Sequence, residues 1–281
     1  MFQRVGVVGC GLMGSGIAQV CAQAELDVVV VEANPQVAEA GRARLEKSLA
    51  KAEERGKVDS ADAVLDRIEV VSDIHRLHDR EIVIEAIAEV AAAKTELFKR
   101  LDGIVEAKDA ILASNTSSIP ISTIAAATKR PENVMGVHFF NPVPVLSLVE
   151  LVPSLLTSSE TVERARAFAA DQLGKHPITA PDRSGFVVNA LLVPFVLSAI
   201  RMLEQGVATA EDIDEGLVRG AAHPQGPLAL ADLIGLDTMV SIAESLYEEF
   251  KEPTYAPPPL LRRMVEAGLL GRKSGRGFYQ Y

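Results

Sequence analysis

Short apolar runs alternate with longer amphipathic segments along roughly the first two thirds of the chain. The runs are continuous and rich in β-branched side chains: Val5–Val8, Val28–Val31, Ile82–Ile84, Ala110–Ala113 and Val134–Val137. Continuous apolar character is typical of strands that are buried on both faces of a parallel sheet. The segments between them, such as Pro35–Arg55 and Ala92–Glu106, have helical spacing. This alternation predicts a doubly wound α/β domain.

The pattern changes near Pro181–Gly185, and Lys175–Thr179 is the last strand predicted before that point. Four helical segments follow, of which the third is interrupted near Gly235: Phe186–Gln205, Ala210–Arg219, Leu228–Phe250 and Pro259–Ala267. Gly206 and Gly268 are predicted helix stops. A strand-like pattern returns only at Phe278–Tyr281. We therefore predict two domains, an α/β domain over residues 1–184 and a smaller all-α domain over residues 185–281.

The composition narrows the functional classes. The 281 residues include 28 basic and 38 acidic side chains, for a formal charge of −10. This balance argues against general nucleic-acid binding, which needs clustered Lys and Arg. Cys10 and Cys21 are the only cysteines, so a disulfide framework is excluded. We see no targeting signal and no apolar stretch of the ~20 residues that a membrane span needs, so we expect a cytoplasmic protein that does not bind membranes.

A glycine-rich turn follows the first predicted strand, with the sequence Gly9-Cys10-Gly11-Leu12-Met13-Gly14. In this pattern the first glycine permits a tight turn and the second lets the backbone approach a pyrophosphate. The third lets the following helix pack closely on the strand, and the N–H groups at the helix start then face the phosphates. The turn predicts a Rossmann-type dinucleotide site. The alternative is a strand–turn–helix that uses its glycines for packing alone.

The second predicted strand leads directly into Glu32. A carboxylate at this position accepts hydrogen bonds from both hydroxyl groups of a ribose. The next residues, Ala33-Asn34-Pro35, contain no Arg to bind a 2′-phosphate. These features favour NAD over NADP as the cofactor.

Polar groups follow two further strands, at the edge where a doubly wound sheet binds its ligands. Glu89 and Lys94 come after Ile82–Ile84, and they either meet the nicotinamide ribose or form a solvated helix start. The segment Ser114-Asn115-Thr116-Ser117-Ser118 follows the next strand. It is either a helix cap or a substrate-binding loop.

A histidine and a glutamate form a candidate catalytic pair. His138 follows the strand Val134–Val137, and Glu150 lies within the apolar run Leu148–Val152. A carboxylate in so apolar a run needs a partner. A His–Glu pair provides one, because the carboxylate fixes the imidazole tautomer and stabilises the protonated ring of a general base. The alternative is a structural ion pair.

Two further features leave their alternatives open. Asn189 lies in an apolar run and either satisfies buried backbone groups or points into an interdomain cleft. Lys47, Lys51 and Arg55 recur every four residues and share one helix face. That face is either a docking surface for a phosphorylated substrate or solvated surface. We predict no metal site.

Together these segments resemble the 3-hydroxyacyl-CoA dehydrogenase family over essentially the whole chain. The matching stretches are VGVVGCGLMGSGIAQVCA, VIEAIAE, ELFKRLD, ASNTSSIPI, GVHFFNPVPVLSLVELV, RSGFVVNALLVPF, HPQGPLALADLIGLDT and GRKSGRGFYQY. The resemblance implies an NAD-dependent oxidoreductase that interconverts short-chain (S)-3-hydroxyacyl-CoA and 3-oxoacyl-CoA. It also implies a role in fatty-acid metabolism (beta-oxidation or butanoate metabolism) and a homodimer formed through the helical domain.

The same resemblance implies roles for individual residues. His138 would be the catalytic base with Glu150 as its partner, Ser117 would bind the 3-oxygen of the substrate, and Asn189 would contact the substrate. The implied cofactor-side positions are Gly9, Gly11, Leu12, Met13, Gly14, Glu32, Glu89, Lys94, Ser117, Asn141 and Lys273. The implied contacts of the CoA nucleotide are Ser48 and Lys51.

The chain departs from the family pattern at three positions. Ser184 replaces a frequent Pro, Ala190 replaces a frequent Arg, and Gln225 replaces a usual Met. Two alternative functions stay open. One is an NAD-dependent dehydrogenase of a free sugar acid, of the L-gulonate 3-dehydrogenase type, which needs no CoA-binding face. The other is a non-catalytic NAD(H) sensor, which does not need Ser117, His138, Glu150 and Asn189 together.

Overall fold

The computed structural model describes the whole chain, Met1–Tyr281. It divides into two compact units, Met1–Asp182 and Arg183–Tyr281. The first unit is an α/β layered structure and the second consists of helices. The doubly wound α/β fold followed by a helical domain is thereby confirmed. None of the helices combines the length and the apolarity that a membrane crossing requires.

A single sheet of eight strands forms the centre of the first unit. The strands are β1 (Arg4–Val8), β2 (Asp27–Val31), β3 (Ile68–Val71), β4 (Ile82–Glu85), β5 (Ile111–Ser114), β6 (Val134–Phe139), β7 (Leu148–Pro153) and β8 (His176–Thr179). Their order across the sheet is β3-β2-β1-β4-β5-β6-β7-β8. All neighbours are parallel except β6 and β7, which are antiparallel. The carboxyl ends of the first six strands in this order from β3 therefore lie along one edge.

Six α-helices accompany these strands: α1 (Leu12–Gln23), α2 (Pro35–Glu54), α3 (Ala61–Leu65), α4 (Ala91–Ile104), α5 (Ile121–Ala125) and α6 (Ser159–Ala167). Short 3₁₀ turns occur at Ile74–Leu77 and Pro131–Asn133, and a π-helical turn at Phe168–Gln172 continues α6. The central strands are buried along most of their length because helices and loops cover the sheet. This burial explains their continuous apolar sequence.

The second unit has five α-helices around its own core: α7 (Val188–Glu204), α8 (Ala210–Ala221), α9 (Pro227–Ile234), α10 (Leu236–Phe250) and α11 (Pro259–Glu266). Two 3₁₀ turns lie at Pro253–Tyr255 and Arg272–Ser274. Gly235 separates α9 from α10 with a φ of +102°, a conformation that favours glycine. The break predicted near this residue is thereby confirmed.

Two local features differ from the prediction. The strand β3 was missed because its pattern is short and is interrupted by the exposed Glu69, which an edge strand accommodates. The prediction of a strand at Phe278–Tyr281 is wrong, since only isolated bridges join Arg276 to Gly271 and to Gln280. The chain turns at Gly271 and Gly275, both at positive φ, instead of extending.

Candidate active site

Two adjacent antiparallel strands bring a histidine and a glutamate together. His138 in β6 is the direct register partner of Glu150 in β7, and its Nδ1 lies 2.8 Å from Glu150 Oε2. Both side chains are buried, Glu150 completely. An ionised carboxylate only accepts hydrogen bonds, so this contact assigns the ring proton to Nδ1 and leaves Nε2 as an acceptor.

A serine completes a chain of three polar side chains. Ser117 lies in the loop that follows β5, the sheet neighbour of β6, and its Oγ is 3.0 Å from His138 Nε2. With the proton on Nδ1, the hydroxyl group donates to Nε2. An alcohol held beside Ser117 would therefore lie within reach of a base. Glu150 would stabilise the imidazolium that forms when Nε2 takes the proton.

A buried ionic cluster lies behind this serine. Lys94 Nζ, on α4, is 2.6 Å from Glu85 Oε1 and 3.1 Å from Glu89 Oε2. Lys94 is 1% exposed, which excludes for this residue the alternative of a solvated helix start. Glu89 in turn accepts hydrogen bonds from the Ser117 N–H group at 2.9 Å and from the Thr116 hydroxyl group. The loop is thus held by carboxylates.

The charge state of Glu89 follows from these contacts. Burial alone would raise the pKa of its carboxyl group. The Lys94 ammonium group and the hydrogen bonds from Thr116 and Ser117 outweigh burial and hold this pKa below its ordinary value of 4.5. Glu89 is therefore ionised at neutral pH and accepts hydrogen bonds from the loop.

The hydroxyl groups after β5 serve the loop rather than a helix start. The helix α5 begins after Pro120, and the carboxylate that accepts hydrogen bonds from its Ile121 and Ser122 N–H groups, at 2.7 and 2.8 Å, belongs to Asp182. The helix-cap alternative for the Ser114–Ser118 segment is therefore wrong. Asn115 instead accepts a hydrogen bond from the Phe139 N–H group at 2.8 Å and thereby ties the end of β5 to the end of β6. This contact places the Ser117 loop beside His138.

The glycine-rich turn has the backbone that a dinucleotide site requires. Gly9 has a φ of +95°. A Cβ atom on Gly14 would lie 1.8 Å from Gly9 O, so only glycine permits this close packing of α1 on the turn. A Cβ on Gly11 would meet nothing, and no side chain caps α1. The start of α1, at Leu12 and Met13, thus offers N–H groups to an anion.

A cavity of about 350 Å³ lies at the ends of β1 and β2. Its lining includes Gly9, Glu32, Ala33 and Ile87. The carboxylate of Glu32 accepts hydrogen bonds from the Cys10 and Ala33 N–H groups and is held at the rim. A carboxylate in this place suits ribose hydroxyl groups and repels a 2′-phosphate. The residues present therefore fit the adenosine half of NAD.

Neither cysteine is placed for nucleophilic chemistry. Burial and the nearby Glu32 carboxylate raise the pKa of the Cys10 thiol to about 11. Burial raises the pKa of the Cys21 thiol to about 12. Both side chains are fully buried. They remain protonated at neutral pH and act as small core residues.

The basic face of α2 has a mixed environment. Lys47, Lys51 and Arg55 are exposed, whereas the Ser48 hydroxyl group donates to Gln19 Oε1 at 2.6 Å. Sequence reasoning missed Arg44, whose guanidinium group donates to Cys10 O at 2.6 Å. Arg44 thus attaches α2 to the glycine-rich turn.

The remaining predicted residues are Asn141, Asn189 and Lys273. Asn141 is exposed after β6, where a cis peptide bond joins it to Pro142. Asn189 is partly buried in the first turn of α7, in the second unit. Lys273 belongs to the same unit, where its Nζ lies 2.6 Å from Asp237 Oδ2.

Sequence reasoning also missed Glu85, at the end of β4, and its pairing with Ser114, at the end of β5. Both are fully buried, and Ser114 Oγ donates to Glu85 Oε2 at 2.6 Å. A signal was present, because Glu85 follows an apolar run just as Glu150 lies within one. A carboxylate in such a run needs a buried partner.

The dinucleotide turn, the cofactor cavity and the Ser117–His138–Glu150 chain on one sheet define an NAD-dependent dehydrogenase. The family models agree with this class. The chain belongs to the 3-hydroxyacyl-CoA dehydrogenase family: the model of its NAD binding domain matches residues 4–183, and the model of its C-terminal domain matches residues 185–281.

Similar proteins span the full chain. A curated 3-hydroxybutyryl-CoA dehydrogenase of Mycobacterium tuberculosis (strain CDC 1551 / Oshkosh) is 57% identical over 281 residues, which cover 99% of this chain and 98% of the relative. The crystal structure of M. tuberculosis FadB2 has a TM-score of 0.98 at 57% identity and covers 100% and 99% of the two chains. That of (S)-3-hydroxybutyryl-CoA dehydrogenase PaaH1 from Ralstonia eutropha has a TM-score of 0.93 at 46% identity, with 100% and 99% covered.

Proposed function

We propose that this protein interconverts (S)-3-hydroxybutyryl-CoA and acetoacetyl-CoA with NAD(H). The observation that carries the proposal is the chain of contacts Ser117 Oγ–His138 Nε2 and His138 Nδ1–Glu150 Oε2, at 3.0 and 2.8 Å. It provides a base that is oriented by a carboxylate, beside a hydroxyl group that can hold an oxygen. The names of the full-length relatives support the CoA-thioester substrate.

In the oxidation direction, neutral His138 removes the proton of the C3 hydroxyl group through Nε2. The electron pair of the broken O–H bond stays on oxygen and forms the second bond of the C3 carbonyl, while the C3–H bond breaks and its electron pair leaves with the hydride. Bound NAD supplies the hydride acceptor. Glu150 offsets the charge on the imidazolium ring, and Ser117 hydrogen-bonds the 3-oxygen so that C3 is correctly oriented. Reduction reverses each step, with His138 protonated at the start.

The cofactor would be held by the residues that the resemblance to the family implies. The proposed set is Gly9, Gly11, Leu12, Met13, Gly14, Glu32, Glu89, Lys94, Ser117, Asn141 and Lys273. Of these, Lys94 is buried beneath Glu89, so it would act mainly by orienting that carboxylate. The structure supports Glu32 as the ribose ligand because its carboxylate borders the 350 Å³ cavity.

Several finer points belong to the same proposal. Asn189 would contact the substrate, and Ser48 and Lys51 would contact the CoA nucleotide, supported by the partly exposed Ser48 and the exposed Lys51. The protein would be a cytoplasmic homodimer. The exposed Leu191 on α7 supports an interface in the helical domain.

The test is an assay of NADH absorbance with acetoacetyl-CoA, run in parallel with NADPH and with free acetoacetate. We expect rapid oxidation of NADH with the CoA thioester alone. Faster use of NADPH would overturn the assignment of Glu32 but leave the chemistry. Turnover of a free acid without turnover of the thioester would instead favour an NAD-dependent dehydrogenase of a free sugar acid. NADH binding without any turnover would indicate a sensor.

A further inference from the structure

Glu85 is a fully buried carboxylate without a part in the proposed mechanism. It ends β4 and accepts three hydrogen bonds: from the Ile87 N–H group at 2.7 Å, from Lys94 Nζ at 2.6 Å and from Ser114 Oγ at 2.6 Å. Buried carboxylates are costly and persist only when they are fully paired. Its two side-chain partners lie on α4 and at the end of β5, and the loop that carries Ser117, here called the catalytic loop, follows β5.

The neighbouring strand ends show what this position requires for folding alone. In register across the sheet, Glu85 is the partner of Val8 on one side and of Ser114 on the other. Val8 is in turn the partner of Val31. The equivalent positions at the ends of β1 and β2 are therefore occupied by valine, so folding of the sheet does not require a polar residue there. At the same level of the sheet, β4 ends in a carboxylate and β5 in a hydroxyl group, and the catalytic loop follows β5.

Glu85 and Glu89 both hold that loop through hydrogen bonds. Glu85 fixes Ser114, whose Oγ accepts a hydrogen bond from the Thr116 N–H group at 3.3 Å. Glu89 accepts hydrogen bonds from the Ser117 and Ser118 N–H groups at 2.9 and 3.2 Å. The backbone is therefore fixed on both sides of Ser117, and this holds the Ser117 hydroxyl group in position.

Lys94 joins the two carboxylates. Its ammonium group lies within 3.1 Å of both, at 1% exposure. Without the charge of Glu85, the Lys94 ammonium group would depend on Glu89 alone and would draw that carboxylate away from the loop. A change at Glu85 would thus reach Ser117 by two routes, through Ser114 and through Lys94.

We propose that Glu85 is a positioning residue for catalysis, which holds Ser117 at hydrogen-bond distance from His138 through Ser114 and the Lys94–Glu89 pair. The inference rests on the proposed function for its kinetic readout. It assigns Glu85 no contact with substrate or cofactor.

The test is a double-mutant cycle between Glu85→Gln and Ser117→Ala, with kcat for acetoacetyl-CoA reduction as the readout. We expect Glu85→Gln to lower kcat about 10- to 100-fold, because small displacements of a catalytic group have effects of this size. In the Ser117→Ala background the same change should lower kcat by about twofold at most, since the group that it positions is absent. An equal loss in both backgrounds would overturn the proposal.

Asp102→Asn is the matched control. Asp102 is also a carboxylate paired with a cation, with a side chain 8% exposed and 2.7 Å from Arg130 Nε, but it lies near the end of α4 that leads to the amino end of β5. We expect this variant to lower the melting temperature while kcat stays within about twofold of the wild type. If Glu85→Gln does not fold, Ser114→Ala replaces it in the cycle and removes one of the two routes.

Amide hydrogen exchange gives a readout that needs no turnover. In Glu85→Gln, the Ser117 and Ser118 amides should lose protection while the amides of β4 and β5 keep theirs. Loss of protection throughout both strands would show a structural role and overturn the proposal. A wild-type protein that does not reduce acetoacetyl-CoA would refute the proposed function, and the exchange measurement would still decide whether Glu85 positions the loop.

Discussion

At the scale of single residues, the chemistry depends on how His138 is surrounded. Its ring has Glu150 on one nitrogen and Ser117 on the other, and the Phe140 ring packs edge-on with centroids 4.6 Å apart. These contacts determine the orientation of the ring and the nitrogen that is available to a substrate. A structural ion pair would not need a hydroxyl group at the second nitrogen.

Replacing the base separates catalysis from cofactor binding. We expect His138→Gln to lower kcat roughly 10²- to 10⁴-fold, the usual contribution of general acid–base catalysis. NADH affinity should stay close to that of the wild type, because His138 does not line the dinucleotide cavity. Steady-state kinetics and NADH fluorescence titration measure the two quantities. Loss of NADH binding together with turnover would instead indicate a structural histidine.

The lowered pKa of the Glu89 carboxyl group should make the stability of the protein depend on pH. Because its pKa is lowered on folding, the ionised carboxylate stabilises the folded state fully above its unfolded value of about 4.5, and this stabilisation is lost as the pH falls through the lower folded pKa. Glu89→Gln should therefore melt at a lower temperature than the wild type at pH 7. The difference should shrink below about pH 4.5. A difference that does not change with pH would contradict this account.

At the scale of elements, the β1–turn–α1 unit depends on steric fit. The turn and the helix approach so closely that a side chain on Gly14 would overlap Gly9 O. This requirement concerns residues that are near in sequence, which is why the glycine spacing predicted it. By contrast, the contact of His138 with Glu150 depends on the register in which two separate strands, β6 and β7, pair.

Enlarging Gly14 should displace the start of α1. We expect Gly14→Ala to weaken NADH binding at least ~10-fold, the equivalent of about 1.4 kcal/mol. Gly216→Ala is the control, because Gly216 lies inside α8 and a Cβ there meets nothing. That variant should bind NADH normally and unfold with a free energy higher by about 0.5–1 kcal/mol. NADH titration with both variants makes the comparison, and unchanged affinity in Gly14→Ala would contradict it.

Considered as a whole, the protein has a separate hydrophobic core in each unit. In the helical unit, the last residues of the chain are bound to α9. Asp232 on α9 is buried and accepts hydrogen bonds from the Phe278 and Tyr279 N–H groups at 3.0 and 2.9 Å. The Tyr281 hydroxyl group adds a third at 3.2 Å. One carboxylate thus anchors a tail that forms no strand.

Removing this acceptor should loosen the tail. In Asp232→Asn an amide N–H₂ group faces a backbone N–H group, so we expect the free energy of unfolding to fall by about 1–3 kcal/mol. Chemical denaturation measures the change. Glu248→Gln, which alters an exposed ion pair with Lys251, should stay within about 0.5 kcal/mol of the wild type. Equal effects in the two variants would show that Asp232 is not an anchor.

The features that depend on local physics could be predicted from the sequence. The period of the apolar positions predicted the strands and helices, and the glycine spacing predicted the dinucleotide turn. The position of Glu32 at the end of a strand predicted its role as an acceptor for the ribose hydroxyl groups. Which distant polar groups meet depends on the way the chain folds. The fold places Glu85, Lys94 and Ser114 in one cluster because β4 and β5 are neighbours in the sheet and α4 packs beside them. Hydrogen bonding between residues far apart along the chain requires both partners to be brought together by the fold, and local periodicity does not contain that information.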